Sequence, residues 1–196
     1  MQPKTFVFTL ILLVAMLLTA CASTKTQGSG TPIPTLMPAT PPPPSGAGKV
    51  AAMLTADHCS ITAVDLIGAW VTAGSPEKDP FKFTDANGLV CQGTFENDVQ
   101  FLFNQSNVWF TGALACSACH GPDLNVSYAQ MDLSTYQGIL SGSRRQSPEA
   151  KGNDLLGGGD WEKSQLRQVL VTKYMPLGRP QTSPENGPLV YAGTPQ

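Results

Sequence analysis

The sequence predicts a mainly α protein with a small β-hairpin appendage. Three segments, near residues 96–106, 134–141 and 162–173, place apolar residues at the spacing of an amphipathic helix. Residues 81–95 instead alternate apolar and polar residues around an Asn-Gly turn, which is typical of a β-hairpin. The 17 prolines and 19 glycines among 196 residues predict long loops between these elements.

Residues 1–20 have the composition of a cleavable signal peptide. The apolar run from Phe6 to Leu18 fits the hydrophobic region of a signal peptide and is short for a membrane span. Small residues then lead into Cys21, a pattern that resembles the lipobox of bacterial lipoproteins. The resemblance implies that Cys21 becomes a lipid-modified N-terminus. The alternative is an ordinary signal peptide that is cut near Cys21.

Residues 21–48 read as a tether. They are rich in Pro, Ser, Thr and Gly, and they carry one charge, at Lys25. Such a segment cannot bury enough apolar surface to fold. With a lipid on Cys21, the tether would hold residues 49–196 to the periplasmic or extracytoplasmic face of a bacterial membrane.

Residues 49–95 are interpreted as an N-terminal extension. The apolar run from Ile61 to Ala73 fits a helix or a strand, and we favour a helix. The hairpin strands are expected on either side of the turn Asp85-Ala86-Asn87-Gly88, over residues 81–84 and 89–95.

Residues 96–196 are predicted to form the second, helical part. Its first helix starts at Glu96, with Asn97 as a candidate cap. The next has Ser134 as a candidate N-cap and ends at Gly142. The last runs over about residues 162–173.

The chemistry of the chain is concentrated in Cys116-Ser117-Ala118-Cys119-His120. Two thiols at this spacing lie on one side of a helical turn, so both can add to the vinyl groups of one porphyrin, and His120 can ligate its iron. The motif therefore predicts one covalently bound haem c. A thioredoxin-like dithiol and half of a zinc site are the alternatives, but the sequence lacks the βαβ pattern of the first and the second ligand pair of the other.

The second axial ligand is predicted to be Met175, which precedes Pro176 in a loop after the last predicted helix. A thioether ligand stabilises ferrous iron and suits an electron carrier. Packing of Met175 in the core is the alternative, and His58 is the rival ligand.

Residues 98–180 resemble a class I mono-haem cytochrome c. They contain a helix, C-x-x-C-H followed by Gly121-Pro122, two further helices and a Met-Pro loop. The resemblance implies a class I cytochrome c-like helical haem domain with thioether bonds from Cys116 and Cys119. It also implies that the carbonyl of Pro122 accepts the ring proton of His120.

The lipobox, the tether and a single haem domain together resemble the mono-haem lipoprotein subunit of alternative complex III, a quinol-oxidising assembly. That resemblance implies redox partners among the other subunits of a respiratory or photosynthetic membrane complex, and electron transfer without catalysis of its own. A haem-based sensor with an open sixth position and an assembly subunit are the alternatives.

Cys59 and Cys91 remain once the other three cysteines are assigned to lipid and haem. A single pair in an oxidising compartment predicts a disulfide, which would contribute about 3 kcal/mol. Two free buried thiols are the alternative.

The charge balance argues against nucleic acid as a partner. Lys and Arg total 12 and Asp and Glu total 14, for a net charge of −2, so the chain has no basic field. Two histidines leave little material for a multi-histidine metal centre. Arg144 and Arg145 either meet a haem propionate or an acidic partner, or they are a solvated pair.

Overall fold

The structure, a computed structural model, describes residues 58–196. The predicted signal peptide, Cys21 and the tether lie outside the described residues. In chain order, the strands and α-helices of the described part are β1 Cys59–Thr62, α1 Ala63–Thr72, β2 Phe81–Thr84, β3 Val90–Gly93, α2 Phe101–Asn104, α3 Cys116–Cys119, α4 Tyr136–Ser141, α5 Gln165–Val171, β4 Leu189–Ala192 and β5 Thr194–Pro195.

The mainly α, class I cytochrome c-like fold predicted from the sequence is wrong. The five α-helices of residues 58–196 are short, and the same residues form two antiparallel sheets. The helix predicted at residues 96–106 begins as a π-turn over Phe95–Val99, continues as α2 and ends where Gln105 becomes extended. Helices of one or two turns are marginal alone, so strand pairing and loop contacts carry much of this fold.

The two sheets join the beginning of the described chain to its end. β1 pairs with β4, with Cys59 opposite Ala192, and the second sheet has the order β2-β3-β5. The two C-terminal strands therefore pair with strands of the predicted extension. Residues from both predicted parts, 49–95 and 96–196, share one hydrophobic core.

The predicted helix in the extension is confirmed as α1. The Thr62 hydroxyl caps it by accepting from the Asp65 N–H at 3.3 Å, and the Asp65 carboxylate lies in the first turn, where the helix dipole favours negative charge. Most of α1 is buried, so it lies at the centre of the core. Gly68 on α1 touches Trp161, because a methyl group at this glycine would lie 2.5 Å from the indole ring.

An aromatic cluster joins three elements in this core. The ring of Trp70, on α1, lies 4.9 Å from the ring of Phe95, which in turn lies 5.2 Å from the ring of Tyr136 on α4. The Tyr136 hydroxyl donates to the Ser75 carbonyl at 2.7 Å, so its polar end is satisfied. These contacts fix α1 and α4 around the π-turn.

The predicted hairpin and the predicted disulfide are both confirmed. β2 and β3 pair on either side of the turn, and a disulfide joins Cys59 in β1 to Cys91 in β3. The buried Asp85 carboxylate accepts from the N–H groups of Leu89 and Asn87, each at 2.8 Å. These hydrogen bonds, that from Leu89 first, hold the pKa of Asp85 below its usual value.

No helix within residues 58–196 combines the length and the apolar character needed to cross a membrane.

Replacing both Cys59 and Cys91 by Ala should lower the free energy of unfolding by about 3–4 kcal/mol, because the disulfide closes a 32-residue separation. Denaturant unfolding of the exported protein measures the change. The exposed Thr72→Ala variant is the control. Equal stability of the double variant and the wild type would show that the disulfide contributes nothing.

Gly68→Ala should destabilise the protein by about 1–3 kcal/mol, because the added methyl group overlaps the Trp161 ring in a packed core. Thermal unfolding of this variant beside Thr72→Ala, on the same helix, measures the effect. A Gly68→Ala protein as stable as the wild type would contradict the packing of α1 against Trp161.

Candidate functional site

The predicted haem motif forms a single helical turn, α3. Ala115 precedes it in an extended conformation, and the turn ends at His120, whose N–H donates to the Cys116 carbonyl at 2.9 Å. The turn brings both thiols and the imidazole onto one short segment. The helical turn agrees with the spacing of the motif, whereas attachment of a haem to it stays a prediction.

The two thiols of the motif are free and differ in environment. Cys116 is half-buried, and its thiol lies 3.7 Å from the Leu102 carbonyl on α2, whereas Cys119 is exposed. Burial raises the pKa of the Cys116 thiol to about 11. Cys116 is therefore protonated at neutral pH and available as a thiol.

His120 is buried and oriented by a single hydrogen bond. Its Nδ1 lies 2.8 Å from the carbonyl oxygen of Tyr128. A carbonyl only accepts, so this contact places the ring proton on Nδ1 and the lone pair on Nε2. Within residues 58–196 no hydrogen bond occupies Nε2. The family resemblance implied the carbonyl of Pro122 as the partner of the His120 ring. The structure instead has the carbonyl of Tyr128 in that place, and Pro122 is exposed.

The loop that presents the Tyr128 carbonyl is held at both ends. At its start, the Ser127 N–H donates to the Asp123 carbonyl at 2.9 Å. At its end, the carbonyl of Ala129 accepts from the Arg144 N–H at 2.6 Å. Ala129 has a left-handed conformation, with φ 58°, which turns the chain immediately after Tyr128. The backbone carbonyl carries no side-chain signal, so sequence reasoning missed it.

Met175 lies in the loop after α5, as predicted. It is half-buried, and its N–H donates to the Val169 carbonyl at 3.0 Å. The same loop lies near the segment that leads into α3, since a methyl group added at Gly178 would lie 3.8 Å from the tip of the Phe110 ring. None of the hydrogen bonds or ring contacts of residues 58–196 links Met175 to His120, so ligation by Met175 stays a prediction.

The other predicted candidates are placed elsewhere. The His58 Nδ1 lies 3.1 Å from the Gly193 carbonyl, among the strands. Arg145 is buried, and its guanidinium donates to the carbonyls of Ala150 and Pro148, whereas Arg144 is exposed. The Arg145 guanidinium is therefore already engaged by backbone carbonyls and is not free to bind a carboxylate.

Some of the exposed apolar side chains lie close in sequence to the motif or to Met175. Of nine large apolar side chains that are exposed within residues 58–196, five flank these two places: Leu114, Val126, Tyr128, Tyr174 and Leu177. The remaining four lie by the strands, at Leu89, Val90, Leu189 and Tyr191. The exposed apolar side chains near the motif offer surface that an apolar ligand could cover.

Two surface clefts, of about 230 and 400 Å³, lie among the strands, and His58 lines both. Neither is lined by Cys116, Cys119 or His120. Asp85 lies near the sulfur atoms of Cys59 and Cys91, but these sulfurs are bonded to each other and cannot bind a metal as thiolates. The motif on α3 therefore remains the candidate site.

Comparison of the chain with protein-family models, with curated proteins and with solved structures finds no match.

In the reduced protein without haem, Cys119 should react with iodoacetamide on the order of tenfold faster than Cys116, because fewer Cys116 thiols are ionised near neutral pH. The rate at Cys116 should rise with pH until it levels near its pKa of about 11. Peptide mass spectrometry of timed samples separates the two sites. Equal rates at pH 8 would contradict the burial of Cys116.

Proposed function

We propose that this chain is an exported c-type cytochrome that carries single electrons through one haem c, bound by Cys116, Cys119 and His120. The observation that carries the proposal is the orientation of His120. Its Nδ1–H donates to the Tyr128 carbonyl, which leaves Nε2 as a metal ligand beside two free thiols. The haem, when bound, supplies an iron that accepts and releases one electron at a time.

The residues around α3 fit a large apolar cofactor. Leu114, Val126 and Tyr128 expose apolar surface on both sides of the motif, and a porphyrin would cover apolar groups of this kind. Asn104, at the end of the helix that packs against α3, has a buried side-chain oxygen without a hydrogen-bond partner among residues 58–196. The motif is thus flanked by exposed apolar side chains, and one buried amide oxygen without a hydrogen-bond partner lies on the helix that packs against it.

The residues of the chain have distinct roles in this proposal. Cys116 and Cys119 would hold the porphyrin through thioether bonds, and Tyr128 would keep the His120 ring in one tautomer and one orientation. Met175 is proposed as the second axial ligand, since its loop lies near the segment before α3. A thioether at that position favours the ferrous state and raises the potential.

The proposed location and partners rest on the sequence together with the disulfide. The Cys59–Cys91 disulfide favours an oxidising compartment, in agreement with an exported chain. A lipid on Cys21 and the tether would keep the domain near membrane donors and acceptors and raise their effective concentration. We therefore propose the other subunits of a quinol-oxidising membrane complex as its redox partners.

A haem-based sensor with an open sixth position is the second candidate. In that case Met175 would not ligate the iron, and the sixth position would stay open to a small ligand. The two candidates differ in one property, which is whether a small ligand can reach the iron of the reduced protein.

The optical spectrum of the exported protein, oxidised and reduced, distinguishes them. The proposal predicts a low-spin haem c spectrum with the far-red iron-thioether band, unchanged when carbon monoxide is added to the reduced form. Met175→Ala should lose that band and bind carbon monoxide, because the ligand is gone. Met131→Ala, a half-buried methionine outside the loop, is the matched control.

A high-spin ferrous spectrum that shifts with carbon monoxide in the wild type would favour the sensor. A protein without haem, made where cytochrome c maturation is active, would contradict both.

A further inference from the structure

Arg179 is a buried cation without an acidic partner. It is 4% exposed, and no carboxylate within residues 58–196 pairs with it. Its guanidinium donates instead to the Leu170 carbonyl at 2.7 Å and to the Ser183 hydroxyl at 3.0 Å, and further to the carbonyls of Pro184 and Glu185. Burying a charge without a counter-ion is costly unless its donors are hydrogen-bonded. These acceptors satisfy the guanidinium donors and fix the position of the Arg179 side chain.

The acceptors of Arg179 lie on both sides of the Met175 loop in the sequence. Leu170 belongs to the last turn of α5, where a cation is favoured by the helix dipole, and residues 183–185 lie beyond the loop. One guanidinium therefore ties together the two ends of the segment 171–182. Met175 is inside this closed segment.

Arg179 also faces the segment that leads into the haem motif. Its guanidinium carbon lies 5.7 Å from the centre of the Trp109 ring, at a cation–π distance. The Trp109 N–H donates at 2.9 Å to the Leu102 carbonyl, which also lies 3.7 Å from the Cys116 thiol sulfur. A continuous set of contacts thus runs from the Met175 loop to Cys116.

We propose that Arg179 is a positioning residue that fixes the Met175 loop against Trp109, so that the thioether is held ready to ligate the iron of haem bound at Cys116. This inference rests on the proposed function. It assigns to Arg179 the task of ordering the loop before ligation, which reduces the conformational freedom lost when the thioether binds. Tyr174 and Leu177, which are exposed on the loop, cannot supply this anchoring.

The test compares the exported holoprotein with Arg179→Gln, which removes the charge and most of the fork. The expected result is unchanged covalent haem, a fall of at least about tenfold in the ratio of Met-ligated to open iron, and a lower reduction potential. The far-red band, carbon monoxide binding and potentiometry report these three changes. Arg167→Gln, on α5 and paired with Glu162, is the matched control that removes one charge but leaves the loop intact.

Arg179→Lys is a second variant that keeps the proposal testable if Arg179→Gln does not fold. Lysine keeps the charge but cannot bridge Leu170 to residues 183–185, so it should give an intermediate far-red band. A fall in potential with a full band in Arg179→Gln would overturn the proposal, because charge and not position would then be the cause. Unchanged spectra in Arg179→Gln would also overturn it.

The wild-type spectrum separates this proposal from the proposed function. A wild-type protein that contains haem but lacks the far-red band would agree with the proposed haem binding. It would overturn the role of Arg179, because there would be no thioether ligand to position. A wild type without any haem would overturn both.

Discussion

Strands β4 and β5, at the end of the chain, pair with β1 and β3 near the start of the described residues, and the other elements are packed within this closure. The disulfide between β1 and β3 holds together the two sheets that receive them. This pairing matters because the α-helices in residues 58–196 have four to ten residues and gain little stability from their own hydrogen bonds. The two sheets and the disulfide therefore support the loops that carry α3 and Met175.

The local elements with a clear periodic signal were predictable from the sequence. The hairpin around the Asn-Gly turn, the helix from residue 63 and the disulfide were all confirmed. Helix ends were missed by one to three residues, since Thr94 and Thr135, and not Asn97 and Ser134, supply the capping oxygens. A hydroxyl one to three positions away fits the same sequence pattern, so the pattern alone does not select the cap.

The architecture was not predictable in the same way. Strand β4, Leu-Val-Tyr-Ala, does not alternate apolar and polar residues, and β5 has only two residues. Their partners are more than 90 residues earlier in the chain. The helical spacing of Val99, Leu102 and Phe103 is real, but it covers a π-turn and a single α-turn. The mainly α prediction extended these short signals into full helices, and it missed the sheet pairing that makes one core of both parts.

The candidate site shows the same division. Spacing alone identified Cys116, Cys119 and His120, because their chemistry depends on neighbours within one turn. The groups that contact Cys116 and His120 belong to the backbone: the Leu102 carbonyl lies near the Cys116 thiol, and the Tyr128 carbonyl accepts from the His120 ring. Such contacts depend on the tertiary fold, so a single sequence offers no pattern by which to find them.

Intact-mass and peptide mass spectrometry of the exported protein test the central claim most directly. The account predicts that the chain carries the mass of one haem and that this mass is found on the peptide that contains both Cys116 and Cys119, with Cys59 and Cys91 joined in a disulfide. A protein of the chain's own mass, with two free thiols at residues 116 and 119 after export through an active maturation pathway, would contradict it.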